Sequence, residues 1–253
     1  MLIAERHRMI KGMATERRFI RTEEVAEELA VSLETVRRDF IALEKGHVLV
    51  RVHGGAAAVE AEEEPPFDAR ASAESTEKMI IGRAAASLIG TSTRSVFIDL
   101  GTTALSVARH VPAAFTGSVT TTSIHVAAHL ADHTAATVYL TGGRVRAGDL
   151  SLSGPSAASQ LADIYTDVAF IGSGALDHEA GLTDYDAEEA AVRKVAIQNA
   201  KQIWALVDSS KFDRIARTRV CGIERLTGIV SDVPPTGALL AALEEAGVRI
   251  LTA

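Results

Sequence analysis

The chain has 253 residues and a mass of 26.7 kDa, and its 47% hydrophobic and 23% charged residues indicate one or two globular domains and exclude wholesale disorder. The net charge of −7, from 26 basic and 33 acidic residues, argues by itself against a DNA-binding protein, whose contacting domain is often strongly basic. The single cysteine, Cys221, excludes an internal disulfide and a cysteine-rich metal site, and no apolar run reaches the ~18 residues that span a bilayer.

The first predicted elements form a helix-turn-helix. Thr22 is expected to cap a helix that ends near residue 30, and Ser32 to cap a second helix after a two-residue link. The inward apolar residues of the two helices are Val25, Leu29, Val36, Phe40 and Leu43. Two short helices joined by a tight turn are typical of DNA-binding modules.

Basic side chains follow along the second helix and the segment after it. Arg37, Arg38 and Lys45 lie off the apolar stripe, and residues 48–55 are predicted to form a β-hairpin or wing that carries Arg51. Arginine can bond bidentately to guanine or neutralise a phosphate. The alternative for an isolated arginine pair is a charged helix face that only contacts solvent.

Residues 32–40 (SLETVRRDF) and 51–56 (RVHGGA) closely resemble the winged helix-turn-helix of the DeoR family of bacterial transcriptional regulators. One departure is the glycine that ends the recognition helix: it stands at Gly46, and His47 occupies the position where the family more often has it. The DNA-binding residues expected from the pattern and the resemblance are Ser32, Thr35, Arg37, Arg38, Lys45, Arg51 and His53.

A linker separates this module from the rest of the chain. Small residues, an acidic run and a Pro-Pro pair follow one another between residues 56 and 66, where neither proline can donate a backbone hydrogen bond. We therefore predict a DNA-binding domain over residues 1–57, a linker over 58–72 and an effector-binding and oligomerisation domain over 73–253. Residues 1–58 hold 10 basic and 9 acidic residues, which leaves 16 and 24 in the remainder, a net charge of −8.

Beyond the linker, helices and short apolar strands alternate. Helices are predicted over residues 74–89, 104–110, 124–131, 157–164, 188–200 and 238–246. Strands are predicted over residues 95–99, 118–121, 137–141, 167–171, 202–207, 227–230 and 248–251. This alternation predicts an α/β domain with a doubly wound, mainly parallel, Rossmann-like sheet that helices cover on both faces.

Polar and glycine-rich segments follow five of the predicted strands, at residues 99–103, 120–123, 141–143, 171–175 and 208–212. In open parallel sheets, ligands bind at the carboxyl ends of the strands. Threonine hydroxyls and helix N-terminal amides can hold an anion, and Lys211 supplies a positive charge for a phosphate. The pattern therefore predicts a ligand site at this edge of the sheet.

The same segments resemble the effector domain of the DeoR family, which is similar in fold to ribose-5-phosphate isomerase. The resemblance implies that a phosphorylated sugar or a related metabolite binds the strand ends and alters affinity for operator DNA; Thr122 departs from it, because the family usually has asparagine there. The effector-binding residues expected are Asp99, Gly101, Thr102, Thr103, Thr121, Thr122, Ser123, Gly142, Gly143, Arg146, Gly172, Gly174, Lys194 and Lys211. Symmetric operators require a homodimer or homotetramer.

The main alternative is a sugar-phosphate isomerase-like enzyme with an appended DNA-binding module. Candidate acids exist between residues 177 and 188, but the turn at residues 172–177 lacks most of the acids that the isomerase resemblance would carry. His125, His129 and His133 could offer metal ligands one helical turn apart, although an exposed polar stripe explains them more simply. A non-regulatory DNA-packing protein is disfavoured by the acidic larger domain.

We therefore expect a transcriptional regulator, a repressor of a sugar or polyol operon, with no catalytic residue, metal or cofactor. Residues 1–8 carry charges where a signal peptide would be apolar, and the lone cysteine suits a reducing compartment. We therefore expect it to be cytoplasmic, without a membrane segment.

Overall fold

The computed structural model describes residues 3–17, 19–45, 49–52, 54–58, 67–72 and 75–252. The chain divides into two compact units, Met1–Ala73 and Glu74–Ala253. None of the helices in the described ranges is both long and apolar enough to cross a membrane.

The described residues of the first unit form four helices and a three-stranded antiparallel sheet of order β1-β3-β2. Its elements are α1 (Ile3–Arg17), β1 (Phe19–Arg21), α2 (Thr22–Glu28), α3 (Leu33–Lys45), β2 (Leu49–Val52), β3 (Gly55–Ala58) and α4 (Phe67–Ser72). The predicted helix-turn-helix is α2 and α3, and the predicted wing is the β2–β3 hairpin. Neither α1 nor α4, which lies within the predicted linker, was predicted from the sequence.

The core of this unit confirms the inward face that the sequence pattern predicted. Val25, Val36 and Phe40 are fully or almost fully buried, and α1 packs Ile10 against them. The predicted cap at Thr22 is wrong: Thr22 is the first helical residue, and its hydroxyl donates to the carbonyl of Gly54 across the wing. That bond ties the start of α2 to the hairpin instead of capping the helix.

The second unit is built on a seven-stranded sheet in which every neighbouring pair is parallel. Its helices are α5 (Ser75–Ala86), α6 (Thr102–His110), α7 (Ile124–His133), α8 (Pro155–Ala162), α9 (Ala187–Gln198) and α10 (Gly237–Glu245). The seven strands are β4 (Ser95–Ile98), β5 (Ser118–Thr121), β6 (Thr137–Leu140), β9 (Thr166–Ile171), β12 (Ala200–Leu206), β14 (Gly228–Ser231) and β15 (Arg249–Thr252). Each of these thirteen elements overlaps a predicted one, and the doubly wound α/β class is confirmed.

Five shorter strands complete the unit: β7 (Arg144–Arg146), β8 (Ser151–Ser153), β10 (Ala175–Asp177), β11 (Gly181–Asp184) and β13 (Thr218–Cys221). The first two form a hairpin, and the other three form an antiparallel sheet of order β10-β11-β13. None of these five strands was among the predicted elements, because they lie outside the alternation of helices and parallel strands on which the prediction was based.

Buried side chains pack on both faces of the large sheet. Phe97 and Ile171 face the core that α8, α9 and α10 cover, whereas Ile98, Phe170 and Trp204 face the core under α5, α6 and α7. Adjacent strand residues point to opposite faces, so strands buried on both sides are continuously apolar.

The strand order β15-β14-β12-β9-β4-β5-β6 reverses direction between β4 and β9. From β4 the chain proceeds outward to β5 and β6, and from β9 it proceeds to the opposite edge through β12, β14 and β15. In sheets of this kind the crevice outside the carboxyl ends of the two strands at the reversal is where ligands bind. The two residues that follow the strands at this reversal are Asp99, after β4, and Gly172, after β9.

Candidate functional sites

The N-terminus of α3 is capped as the sequence predicted. The Ser32 hydroxyl accepts a hydrogen bond from the backbone N–H of Thr35 at 3.1 Å, and the two side-chain oxygens lie 2.8 Å apart. The cap fixes the first turn of the helix that carries the basic residues. Both side chains therefore serve the helix end, whatever else they contact.

The two arginines predicted to contact DNA project from α3 into solvent. Arg37 is 64% exposed, with Nη1 4.0 Å from Glu34 Oε2, and among the described residues no acidic side chain pairs with Arg38, which is also exposed. Lys45 is the last residue of α3. His53, Gly46 and His47 lie outside the described residues.

Arg51 joins the wing to α3. Its Nε donates to Glu44 Oε2 at 2.6 Å, and its backbone N–H donates to Glu44 Oε1 at 3.1 Å. The side-chain hydrogen bond from Arg51 lowers the pKa of Glu44. Arg51 is thus held at the junction of β2 and α3, with about half of its side chain exposed.

Asp39 anchors α3 to α1 from the inner side. Arg6 donates from Nε and Nη2 to the two carboxylate oxygens at 2.5 and 2.9 Å, and His7 Nε2 lies 2.9 Å from Oδ1. Burial raises the pKa of Asp39, but the hydrogen bonds from Arg6 and His7 outweigh burial and lower the pKa below its usual value. This contact was not predicted, although a charged residue within the apolar stripe of α3 indicates a buried partner.

At the carboxyl edge of the large sheet, three buried oxygens lack a hydrogen-bond partner. In the described part of the chain they are Asp99 Oδ1, Thr122 Oγ1 and Thr141 Oγ1. Arg193 Nη1 is also buried without a well-directed hydrogen bond, but it has an ionic partner, Asp184 Oδ2, at 2.7 Å. Because Ile98, Thr121 and Leu140 are register partners in β4, β5 and β6, the three unpartnered residues each stand one position beyond a matched strand end. Neighbouring strands lie about 4.8 Å apart, so these three residues follow one another along the edge.

The other oxygen of Asp99 is firmly held. Asp99 Oδ2 accepts from the backbone N–H of Gly172 at 2.9 Å and from Arg193 Nε at 2.6 Å, which joins the two strands at the reversal point. A Cβ at Gly172 would stand 3.3 Å from Asp99 Oδ2 and from the Leu100 carbonyl, so glycine suits this close approach. Asp99 therefore has one carboxylate oxygen fixed by two donors and the other, Oδ1, buried without a hydrogen-bond partner.

Arg193 is the centre of a buried ionic cluster. Its Nη1 lies 2.7 Å from Asp184 Oδ2 and its Nη2 lies 3.6 Å from Glu189 Oε2, in addition to the bond to Asp99. Burial lowers the pKa of Arg193, but the carboxylates of Asp184, Asp99 and Glu189 outweigh burial and raise it well above its usual value. Three buried carboxylates therefore surround this one guanidinium, and one of them, Glu189, also pairs with Arg146.

The β7–β8 hairpin is bound to α9 by two adjacent glutamates. Arg146 Nη1 and Ser151 Oγ donate to Glu189 Oε1 at 2.8 and 3.2 Å. Arg144 Nη2 and Ser153 Oγ donate to Glu188 Oε2 at 2.6 and 3.2 Å. Arg146 thus bonds to a glutamate of the ionic cluster, and its role in effector binding stays a prediction.

Two positive features lie at the strand ends on either side of the reversal point. Lys211 Nζ donates to the carbonyl of Ser173, just after β9, and lies 3.8 Å from Asp208 Oδ2. The N-terminus of α6 is preceded by Gly101 at φ 96°, and no side chain caps it. Both features can attract an anion, since a helix N-terminus carries partial positive charge and free N–H groups.

Other predicted effector residues serve the local backbone. The Thr121 hydroxyl accepts from the Ser123 N–H, Ser123 caps α7, and the N–H of Gly142 donates to Gln160. Gly143 has φ 134°, the N–H of Gly174 donates to the Thr183 carbonyl, Thr103 is buried and Thr102 is half-buried. These side chains and turns shape the edge.

The structure corrects the expected position of Lys194. It is exposed on α9, and its neighbour Arg193 is the basic residue that the helix brings to the strand ends. Asp184, Glu189 and Thr141 were not among the expected effector-binding residues, although Asp184 lies among the candidate acids and Thr141 in one of the polar strand-end segments. Acidic residues spread between 99 and 189 give no local signal that they will share one arginine.

The histidines of α7 pack against one another. The rings of His129 and His133 stack with centroids 4.3 Å apart, and burial together with the nearby His133 lowers the pKa of His129. Over the described ranges, no group of three or more His, Cys, Asp or Glu residues is arranged to hold a metal ion.

Asp177, a candidate acid, accepts backbone N–H bonds from Glu179 and Ala180 and so serves a turn.

Comparisons with known proteins match both units. Residues 6–62 match the DeoR-like helix-turn-helix domain, and residues 73–233 match the DeoR C terminal sensor domain. The HTH-type transcriptional repressor CsqR of Escherichia coli strain K12 is 30% identical over 97% of this chain and 94% of its own length. The Glycerol-3-phosphate regulon repressor of the same organism is 27% identical over 97% of both chains.

Among solved structures, ribose 5-phosphate isomerase A of Methanocaldococcus jannaschii is a remote match, with 16% identity, 55% of each chain covered and a TM-score of 0.41. The matched families and the two relatives are regulators of transcription, not enzymes.

Proposed function

The chain belongs to the DeoR family of transcriptional regulators, and on that premise we propose how its two units act. The family that the sequence motifs indicated is confirmed, and the isomerase-like enzyme is not favoured. The first unit binds operator DNA, and the second binds a phosphorylated sugar, polyol or related metabolite that changes the affinity for that DNA. The predicted boundaries, with a linker over residues 58–72, remain part of this proposal.

DNA binding is assigned to α3 and the wing. Arg37 and Arg38 are exposed on a helix whose opposite side is buried, so both guanidinium groups are available to bases or phosphates. Ser32, Thr35, Lys45, Arg51 and His53 complete the proposed contacts. Arg51 already holds Glu44, so a phosphate would have to share or replace that partner.

The observation that carries the effector site is the row of buried oxygens without partners at Asp99, Thr122 and Thr141. Leaving a buried polar group without a hydrogen bond costs about 1–3 kcal/mol, so a fold that keeps three of them together at one edge is suited to a ligand that supplies donors. The hydroxyls of a sugar or polyol are such donors. The site also lies at the reversal point of the strand order, where ligands bind in sheets of this type.

The charges of the site suggest how the ligand is oriented. The free oxygen of Asp99 and the acidic cluster around Arg193 would repel a phosphate, so the hydroxyl end of the ligand belongs there. Lys211 and the open N-terminus of α6 would hold the phosphate. The polyol phosphate in the name of one relative, the Glycerol-3-phosphate regulon repressor, supports this class of ligand.

Repression and oligomerisation complete the proposal. Both relatives are named repressors, which supports repression by this chain as well. Palindromic operators require two reading units about one DNA turn apart, so we expect a homodimer or homotetramer.

A thermal-shift screen of phosphorylated sugars and polyols tests the effector site. A ligand at 100 times its Kd stabilises the native state by about 2.7 kcal/mol, or roughly 5–10 °C in a domain of this size. Lys211→Ala should abolish the shift for the phosphorylated compound, whereas Lys194→Ala, the matched exposed lysine of α9, should keep it. An unchanged shift in Lys211→Ala would refute the assigned phosphate position.

Two further measurements separate the proposal from its competitors. Arg37→Ala and Arg38→Ala should each weaken binding to operator DNA and reduce its dependence on salt, because each removes a charge that displaces counterions. Direct assay of ribose 5-phosphate turnover should detect none. Turnover that survives purification would restore the isomerase alternative.

A further inference from the structure

The outward face of α3 carries an acidic residue that the expected DNA contacts leave out. Val36, Phe40 and the anchored Asp39 define the buried side of the helix. Glu34 and Arg38 lie one turn apart on the opposite side, and the exposed Ile41 continues the same row. Glu34 therefore shares the most prominent ridge of α3 with an arginine assigned to DNA.

Among the described residues, Arg37 is the cation that pairs with the Glu34 carboxylate, at 4.0 Å and with both side chains mostly exposed. Ser32, not Glu34, caps the helix. An ion pair of this exposure and separation contributes little. The helix dipole favours a carboxylate in the first turn of α3, and one that approaches DNA is repelled by phosphates unless a base supplies a hydrogen-bond donor.

We propose that Glu34 is a specificity-determining residue, which accepts a hydrogen bond from the exocyclic amino group of a cytosine in the major groove. The inference rests on the proposed function, in which α3 enters that groove. A carboxylate can only accept hydrogen bonds, and the cytosine N4 amino group is the donor that glutamate and aspartate read. Adenine presents its amino group beside the acceptor N7, which repels the second carboxylate oxygen.

The test is selection of binding sites from random DNA duplexes by the full-length protein. The wild type should enrich cytosine at a defined position, by about 5-fold to 100-fold over other bases. Glu34→Ala should lose the preference at that position alone. Glu34→Gln should move it to adenine, because an amide can bond to both N6 and N7.

Glu23→Ala is the matched control. Glu23 is the second residue of α2, as Glu34 is of α3, so the variant removes the same charge from the same place in a helix that is not proposed to read bases. It should leave every base preference unchanged. Urea unfolding of each variant checks that the first unit remains folded.

Two outcomes overturn the inference in different ways. If Glu34→Ala binds all sequences more tightly and enriches the same bases as the wild type, Glu34 only adjusts the charge of the surface. If the wild type enriches no sequence at all, the proposed function of α3 fails as well. Loss of preference in Arg38→Ala, with none in Glu34→Ala, would leave DNA reading intact and refute the role of Glu34.

Discussion

Removal of the Arg193 side-chain charge is the sharpest test of the second unit. Arg193→Met keeps most of the side-chain volume but leaves the buried Asp99 and Asp184 without the cation they share, and leaves Glu189 with Arg146 alone. Removing one partner of a buried ionic group costs about 3–5 kcal/mol. In a unit of this size each kcal/mol lowers Tm by about 2–4 °C, so we expect a fall of roughly 6–20 °C.

The matched control is Arg144→Met, which removes an ion pair with Glu188 on the same helix. That pair is formed by side chains that are 67% and 45% exposed, and such pairs contribute about 0–1 kcal/mol. Trp204, the single tryptophan, is buried in the same sheet, so its fluorescence reports unfolding in both variants. If Arg193→Met lowers Tm no more than Arg144→Met does, the buried cluster does not hold the unit together as described.

Three smaller tests address other contacts. Asp39→Ala leaves Arg6 without its bidentate partner, so we expect a lower urea midpoint for the first unit and weaker DNA binding, whereas an unchanged midpoint would contradict the anchoring role. Thr122→Val removes an unpartnered buried hydroxyl; stability should hold or rise by up to about 1 kcal/mol while effector affinity falls, and equal affinity by calorimetry would exclude this hydroxyl from the site. Hydrogen bonds from Lys201 and from backbone N–H groups lower the pKa of Asp167 to about 2. This carboxylate therefore stabilises the fold above about pH 4 and loses that effect as the pH falls toward 2. The difference in unfolding free energy between wild type and Asp167→Asn, from urea unfolding at several pH values, should shrink over that window and stay constant above it.

Sequence patterns predicted the elements whose side chains repeat over several turns or alternations. The inward face of α2 and α3, the strands around Phe97 and Trp204, and the polar strand ends all follow from local periodicity and from the topology of parallel sheets. The ends of β4, β5 and β6 align because the three strands are in register, which places Asp99, Thr122 and Thr141 side by side.

The contacts that the sequence could not reveal join residues far apart in the chain. Arg193 bonds to Asp99 across 94 positions, and Arg6 bonds to Asp39 across 33. At the level of the sequence, Arg193 and Lys194 are equivalent basic residues of one helix, and only the packing of α9 on the sheet decides which of them is buried. Local periodicity carries no information about such pairings, because they depend on the tertiary arrangement.

The two proposed ligands are connected by a thermodynamic constraint that holds whatever route joins the units. If an effector weakens operator binding tenfold, the coupling free energy is about 1.4 kcal/mol, and operator DNA must weaken effector binding by the same tenfold factor. Titration calorimetry of the effector, with and without a saturating operator duplex, measures that second factor directly. A tenfold loss of operator affinity with an unchanged effector Kd would show that the compound acts somewhere other than on the DNA-bound protein, and the assignment of Asp99, Thr122 and Lys211 to regulation would fall with it.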